Sequence, residues 1–211
     1  MALLTDIAPD PRRSGYVWLE VDRQRFASLP VENVAALRLR AGTELADDEL
    51  ARVRALADVE GAWRAALRVL ATRARARADL RRRLIEKQHP PAAVDQALER
   101  LNARGLLDDR RFAVEYAARH GARGRGPSRL LGDLLAQGVE RRVAEHGVAD
   151  ALAEEAFDPG QMVRAIAKRR AAQLAGLAPS VRKRRLLAFL ARRGYRGSEA
   201  IGVVEELCGS P

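Results

Sequence analysis

From residue 61 onward, apolar side chains recur at helical spacing. Val94, Ala97, Leu98 and Leu101 fall at i, i+3, i+4 and i+7, the stripe an amphipathic helix turns towards a core. Phe112 and Tyr116 share a face in the same way, as do Leu130 and Leu134, Leu186 and Leu190, and Ile201 and Val204. Pro91, Pro127, Pro159 and Pro179 stand where helices are predicted to begin, since a first-turn residue needs no amide hydrogen. Each helix is only about ten residues long and must pack on neighbours to be stable.

Comparing the chain with itself groups these helices. DLRRRLIEKQH (79–89), RLLGDLLAQGV (129–139) and RLLAFLARRGY (185–195) superpose without gaps, aligning Leu80, Leu130 and Leu186, and likewise Leu84, Leu134 and Leu190. Gln88, Gly138 and Gly194 then share one helix-ending position suited to the left-handed conformation. A helix precedes each segment (Trp63–Arg73, Arg111–Arg119, Met162–Leu174) and another follows it (Val94–Leu101, Ala144–Ala151, Ala200–Leu207). The pattern predicts a mainly α protein of three tandem three-helix modules, at 61–107, 108–157 and 158–211. Modules that bury little alone should stack into an elongated array.

Residues 1–60 read differently. In YVWLEVD (16–22), Val17, Leu19 and Val21 alternate with Trp18 and Glu20, the period of a half-buried strand. RFASL (25–29) is its expected hairpin partner, although the turn between them holds neither Gly nor Asn. ELADDELARVRALAD (44–58) follows as a short helix with an acidic first turn. A small α+β cap of hairpin plus helix results.

Charge changes this picture more than length does. The 211 residues carry 38 Lys+Arg against 28 Asp+Glu, a net +10. The cap holds −3 of this and the remaining 151 residues +13. An acidic partner is expected, nucleic acid first. Of the basic residues 35 are Arg, which suits bidentate phosphate contact but is also the usage of a GC-rich genome. Aromatic residues number nine, few for a protein that holds single strands by stacking. Basic clusters recur from module to module: Arg73, Arg75, Arg77 and Arg81, Arg82, Arg83; then Arg123, Arg125 and Arg129; then Lys168, Arg169, Arg170 and Arg182, Lys183, Arg184, Arg185. On stacked modules they would form a positive stripe for sequence-independent, salt-sensitive DNA contact, single- or double-stranded. Any one of them is ordinarily a solvated helix face.

Candidate chemistry narrows the field further. Asp108 and Asp109 in GLLDDRRF (105–112) could be paired carboxylates, but no His or further carboxylate completes a site. They read better as a helix cap and a first-turn acid after Gly105. GARGRGP (121–127) has no preceding strand and no GK[ST], so it is not a phosphate loop; it reads as a flexible connector presenting Arg123 and Arg125 to solvent. His89, His120 and His146 lack metal-site spacing, and Cys208 is alone. No catalytic residue, cofactor, metal or small-molecule ligand is expected. The stretch LLAFLA (186–191) is far short of the ~20 residues of a membrane span. With no leader pattern at the N-terminus, a cytoplasmic setting is expected.

Together these segments resemble the RecX family, regulators of the RecA recombinase. The likeness runs through ALRVLATRARARADLRRRL (66–84), GLLDDRRFAVEYAARH (105–120), GRGPSRLLGDLLAQGV (124–139) and RRLLAFLARRGY (184–195). The family's G-[YL]-L-D-D-x-R-F block falls on Gly105, Leu107, Asp108, Asp109, Arg111 and Phe112, with Gly138 and Gly194 ending two second helices. LRLRAGTELADDEL (37–50) resembles the extension of longer members. Ala76 stands where a capping Ser is common, and Arg83 and Gln137 where Lys is usual. The resemblance implies a non-enzymatic partner of the RecA–DNA filament that hinders filament extension, strand exchange and ATP hydrolysis. A stand-alone helix-turn-helix DNA binder is the alternative, since short helices joined by Gly turns also suit that motif.

Overall fold

The computed structural model describes residues 1–154 and 156–209, arranged as two compact units. The first comprises residues 1–73 and 80–107. Its sheet contains β1 (Ala2–Pro9), β2 (Tyr16–Val21), β3 (Gln24–Pro30) and β4 (Thr43–Leu45), all antiparallel in the order β3-β2-β1-β4. The expected hairpin is β2–β3, with Val21 opposite Gln24 across a two-residue turn. Asp22 and Arg23 both take positive φ there (49° and 62°), as a mirror-image turn demands. Bonds from β1 hold this turn without glycine: Leu3 N–H donates to the Asp22 carboxylate at 3.0 Å, and Arg23 N–H donates to Thr5 Oγ1 at 3.1 Å. The alternation reading did not find β1 and β4. ALLTDIAP has no clean period of two, and pairing on both of its sides is what makes it a strand.

The short helix α1 (Val31–Ala36) and the first half of α2 (Asp47–Leu70) cover one face of the sheet around Leu4, Leu19, Leu29 and Val53. The helices expected at 44–58 and from Trp63 are one 24-residue helix, so position 60/61 lies mid-helix. Its second half packs with α3 (Arg77–Glu86) and α4 (Pro91–Ala103) around Trp63, Leu80, Leu84, Leu98 and Leu101.

The second unit comprises residues 74–79 and 108 onward. It contains α5 (Asp109–Gly121), α6 (Pro127–Ala136), α7 (Arg141–Ala153), α8 (Pro159–Gln173), α9 (Pro179–Arg193) and α10 (Ser198–Cys208). α5–α7 close on Phe112, Leu130, Leu134 and Val148, and α8–α10 on Val163, Leu186, Leu190 and Val204. The four prolines each open a helix, α4, α6, α8 and α9. Gln88, Gly138 and Gly194 take φ of 65°, 82° and 89°, one helix end repeated three times. Ile201 departs from the predicted face. It is exposed while Val204 is buried, because Ala200, Val203, Val204 and Cys208 form the inward stripe of α10.

Helix ends join the modules within this unit. Gly126 N–H donates to the Arg193 carbonyl at 2.7 Å and Ser128 N–H to that of Gly194 at 3.3 Å, so the end of α9 satisfies amides left open at the start of α6. The contact is too close for a side chain: a Cβ on Gly194 would lie 2.3 Å from Arg129 N. The end of α6 approaches the start of α3 in the same manner, Gly138 against Ala78.

Candidate functional site

The structure divides the predicted basic residues into those spent on the fold and those turned outward. Arg75 belongs to the fold. Its guanidinium is almost covered and pairs with the buried Asp79 at 2.9 Å. Arg77 contributes its backbone, donating N–H to the Asp109 carboxylate at 2.7 Å. Asp108 caps α5 as expected, accepting from the amides of Arg110 and Arg111. Asp109 does more than occupy a first turn, because it reaches across and caps α3 at the position where Ala76 offers no hydroxyl. Half-burial pushes its carboxyl above the usual range, against the bond from Arg77.

Arg81 is held bidentate by Asp95 (2.6 and 3.0 Å), Arg82 lies 3.8 Å from Glu86, and Arg83 is half-buried. Arg73 is exposed after the end of α2. The 121–127 segment is more than a connector. Gly124 and Gly126 are buried, and Arg125 turns inward to Asp133 (2.6 Å) and Tyr116 Oη (2.8 Å). Arg129 joins the same carboxylate at 2.9 Å. Of that segment's predicted pair, only Arg123 is exposed.

On α9, Lys183 pairs with Glu205 at 3.0 Å and Arg182 is half-buried, whereas Arg184 and Arg185 are exposed. On α8, Lys168 and Arg169 are exposed and Arg170 is half-buried. Arg170 donates to Gln173 Oε1 at 2.7 Å and stacks on Phe189, 5.4 Å from the ring centroid. Arg193 stacks on the same ring at 5.0 Å.

Arg123, Arg169, Arg170 and Arg193 thereby surround one cleft of about 500 Å³, floored by Met162, Ile166 and Phe189. Among the described residues no carboxylate lines it. His120, at the end of α5, registers the local positive field: burial, then Arg125, Arg123 and Arg119, hold its imidazole below the ordinary value. Reading charge runs missed Arg193 and the apolar floor. The signal was present as Phe189 and Arg193 at i, i+4 on one helix. Such a cleft can take up phosphate or carboxylate oxygens on guanidinium N–H groups.

Comparison with known proteins agrees with this architecture. Residues 62–101, spanning the second half of α2 through α4, match the model of the RecX first three-helix domain. Regulatory protein RecX of Mycolicibacterium smegmatis is 38% identical over 149 residues, covering 69% of this chain and 78% of its own length. The chain belongs to the RecX family. The RecX protein of Thermobifida fusca is 33% identical over 169 residues, covering 78% of this chain and 83% of the relative. A crystal structure of regulatory protein RecX aligns over 98% of both chains with a TM-score of 0.76 at 21% identity. RecX from Lactobacillus salivarius aligns over 71% of this chain and 96% of its own with a TM-score of 0.60 at 19% identity. These two likenesses concern the fold. The signature residues of the RecX block here shape helix junctions: Gly105 turns at φ 65°, Leu107 and Phe112 are buried, and both aspartates cap. No helix among the described residues is long and apolar enough to cross a membrane.

Proposed function

We propose that this RecX-family chain binds the RecA–DNA filament and modulates, mostly by inhibition, recombinase, strand-exchange and ATPase activity. The observation that carries this reading is kinship with proteins named regulatory protein RecX across most of their length. The structure is compatible with a binding role: its charge is +13 over residues 61–211, and Arg123, Lys168, Arg169, Arg184 and Arg185 are exposed. Contact with DNA through exposed cations such as Arg184 and Arg185 is sequence-independent, and three small modules acting together raise affinity without one strong site. RecA-promoted strand exchange with substoichiometric amounts of this protein tests the reading. Slowed exchange is the expected result, and an unchanged rate overturns it.

A further inference from the structure

We infer that the cleft floored by Met162, Ile166 and Phe189 is a docking site for an acidic peptide segment of a protein partner, one that inserts an aliphatic side chain between its carboxylates. The inference rests on the reading above for the existence of a protein partner and assigns this face to protein rather than to DNA.

Three observations point to that ligand. First, four guanidinium groups ring the cleft and no carboxylate among the described residues lines it, so those residues leave its charge uncompensated. Elsewhere the chain pairs many of its arginines, as Arg75, Arg81, Arg125 and Arg129 show. Second, Met162 and Ile166 give the floor thioether and aliphatic carbon, which a Leu or Ile side chain covers better than a charged sugar-phosphate backbone does. Third, the ring of Phe189 already carries the guanidinium groups of Arg170 and Arg193, leaving it poorly placed as a platform for an unstacked base. Arg170 is further held by Gln173. Two of the four donors are therefore oriented before any ligand arrives, which suits planar, bidentate capture of carboxylates. At about 500 Å³ the space lies within the usual range of ligand clefts.

The test uses the full chain and fluorescence anisotropy with two labelled probes, a peptide of Asp, Glu and Leu residues and an oligothymidylate. Two charge-reversed variants alter net charge equally: Arg123→Glu with Arg169→Glu in the cleft, and Arg184→Glu with Arg185→Glu on α9. All four residues are exposed, and a thermal melt checks that each variant folds. The cleft variant is expected to lose peptide affinity by about tenfold or more and the α9 variant much less, because like charges are then placed against the peptide's carboxylates. Replacing Leu by Ser in the peptide should weaken it as well. Equal loss in both variants, or no dependence on Leu, overturns the inference. So does an oligothymidylate that displaces the peptide and loses more affinity from the cleft variant than from the α9 variant, which would assign the cleft to nucleic acid. Strand exchange with the wild-type chain is scored separately. Inhibition without peptide binding removes this inference alone, and peptide binding without inhibition removes the regulatory reading alone.

Discussion

Asp109 shows how one residue type in one motif serves two helices. Beside Asp108, which caps its own helix, Asp109 closes the start of α3 by accepting the Arg77 amide proton. Removing that acceptor in Asp109→Ala should cost about 1 kcal/mol, as loss of a cap ordinarily does, whereas Asp109→Asn keeps an acceptor and should cost less. The pH dependence follows from burial. An acid whose folded-state value lies above the ordinary 3.8 binds its proton more tightly when folded, so its contribution is greatest below 3.8 and declines as pH rises through the raised value. Urea titrations across that interval should therefore show wild type losing stability relative to Asp109→Asn as pH increases. Gly194 is governed by space and by φ together. Gly194→Ala, with φ at 89° and its Cβ forced against Arg129, should cost about 3 kcal/mol or more, while Gly202→Ala should stabilise by about 0.5 to 1 kcal/mol. Gly202 sits in α10 with open space around it, and chemical denaturation of the pair separates the two effects.

At the scale of elements, the continuity of α2 is the main departure from the sequence pattern. One helix runs from the acidic first turn at Asp47 to Leu70, contributing Val53 to the sheet core and Trp63 to the three-helix core. Glu60 sits between those cores. Buried in mid-helix, it accepts from Tyr16 Oη at 2.9 Å and pairs with Arg100, whose guanidinium also lies over Trp63 at 4.3 Å. One carboxylate thereby ties β2, α2 and α4 together. Glu60→Ala leaves a partly covered guanidinium and a phenol without their acceptor. Since Arg100 keeps about a third of its side chain in water, the cost should be about 2 to 3 kcal/mol, below that of a wholly buried pair. Equilibrium unfolding checks this, with Tyr16→Phe expected to cost about 1 kcal/mol. A periodicity reading had no means of marking Glu60, because a polar residue on an inward face looks like an interruption until its partners are known.

Over the whole molecule, sequence charge overstates how many cations are available to a partner. Arg81 is chelated by Asp95, and Arg125 and Arg129 share Asp133, whereas Arg184 and Arg185 are exposed without an ion-pair partner among the described residues. Binding to DNA should weaken linearly in log salt. Arg184→Ala with Arg185→Ala should lower that slope by about 1 to 2, and Arg81→Ala by less. Titrations of a labelled duplex at several salt concentrations measure both slopes.

The sequence by itself determined the helical modules. Six aligned leucines, Leu80, Leu84, Leu130, Leu134, Leu186 and Leu190, are all fully buried, and four prolines start four helices, because helix period and proline stereochemistry are local properties. The RecX likeness was legible for the same reason, its signature being made of turns and caps. Tertiary structure alone decided three other matters. It made β1 and β4 strands by pairing them, it ran two expected helices together, and it settled which arginines reach solvent. Helical spacing encodes i, i+4 pairs such as Arg75 with Asp79 and Arg129 with Asp133. Asp95 reaches Arg81 and Asp133 reaches Arg125 only through the fold, and those distances are not encoded in spacing along the chain.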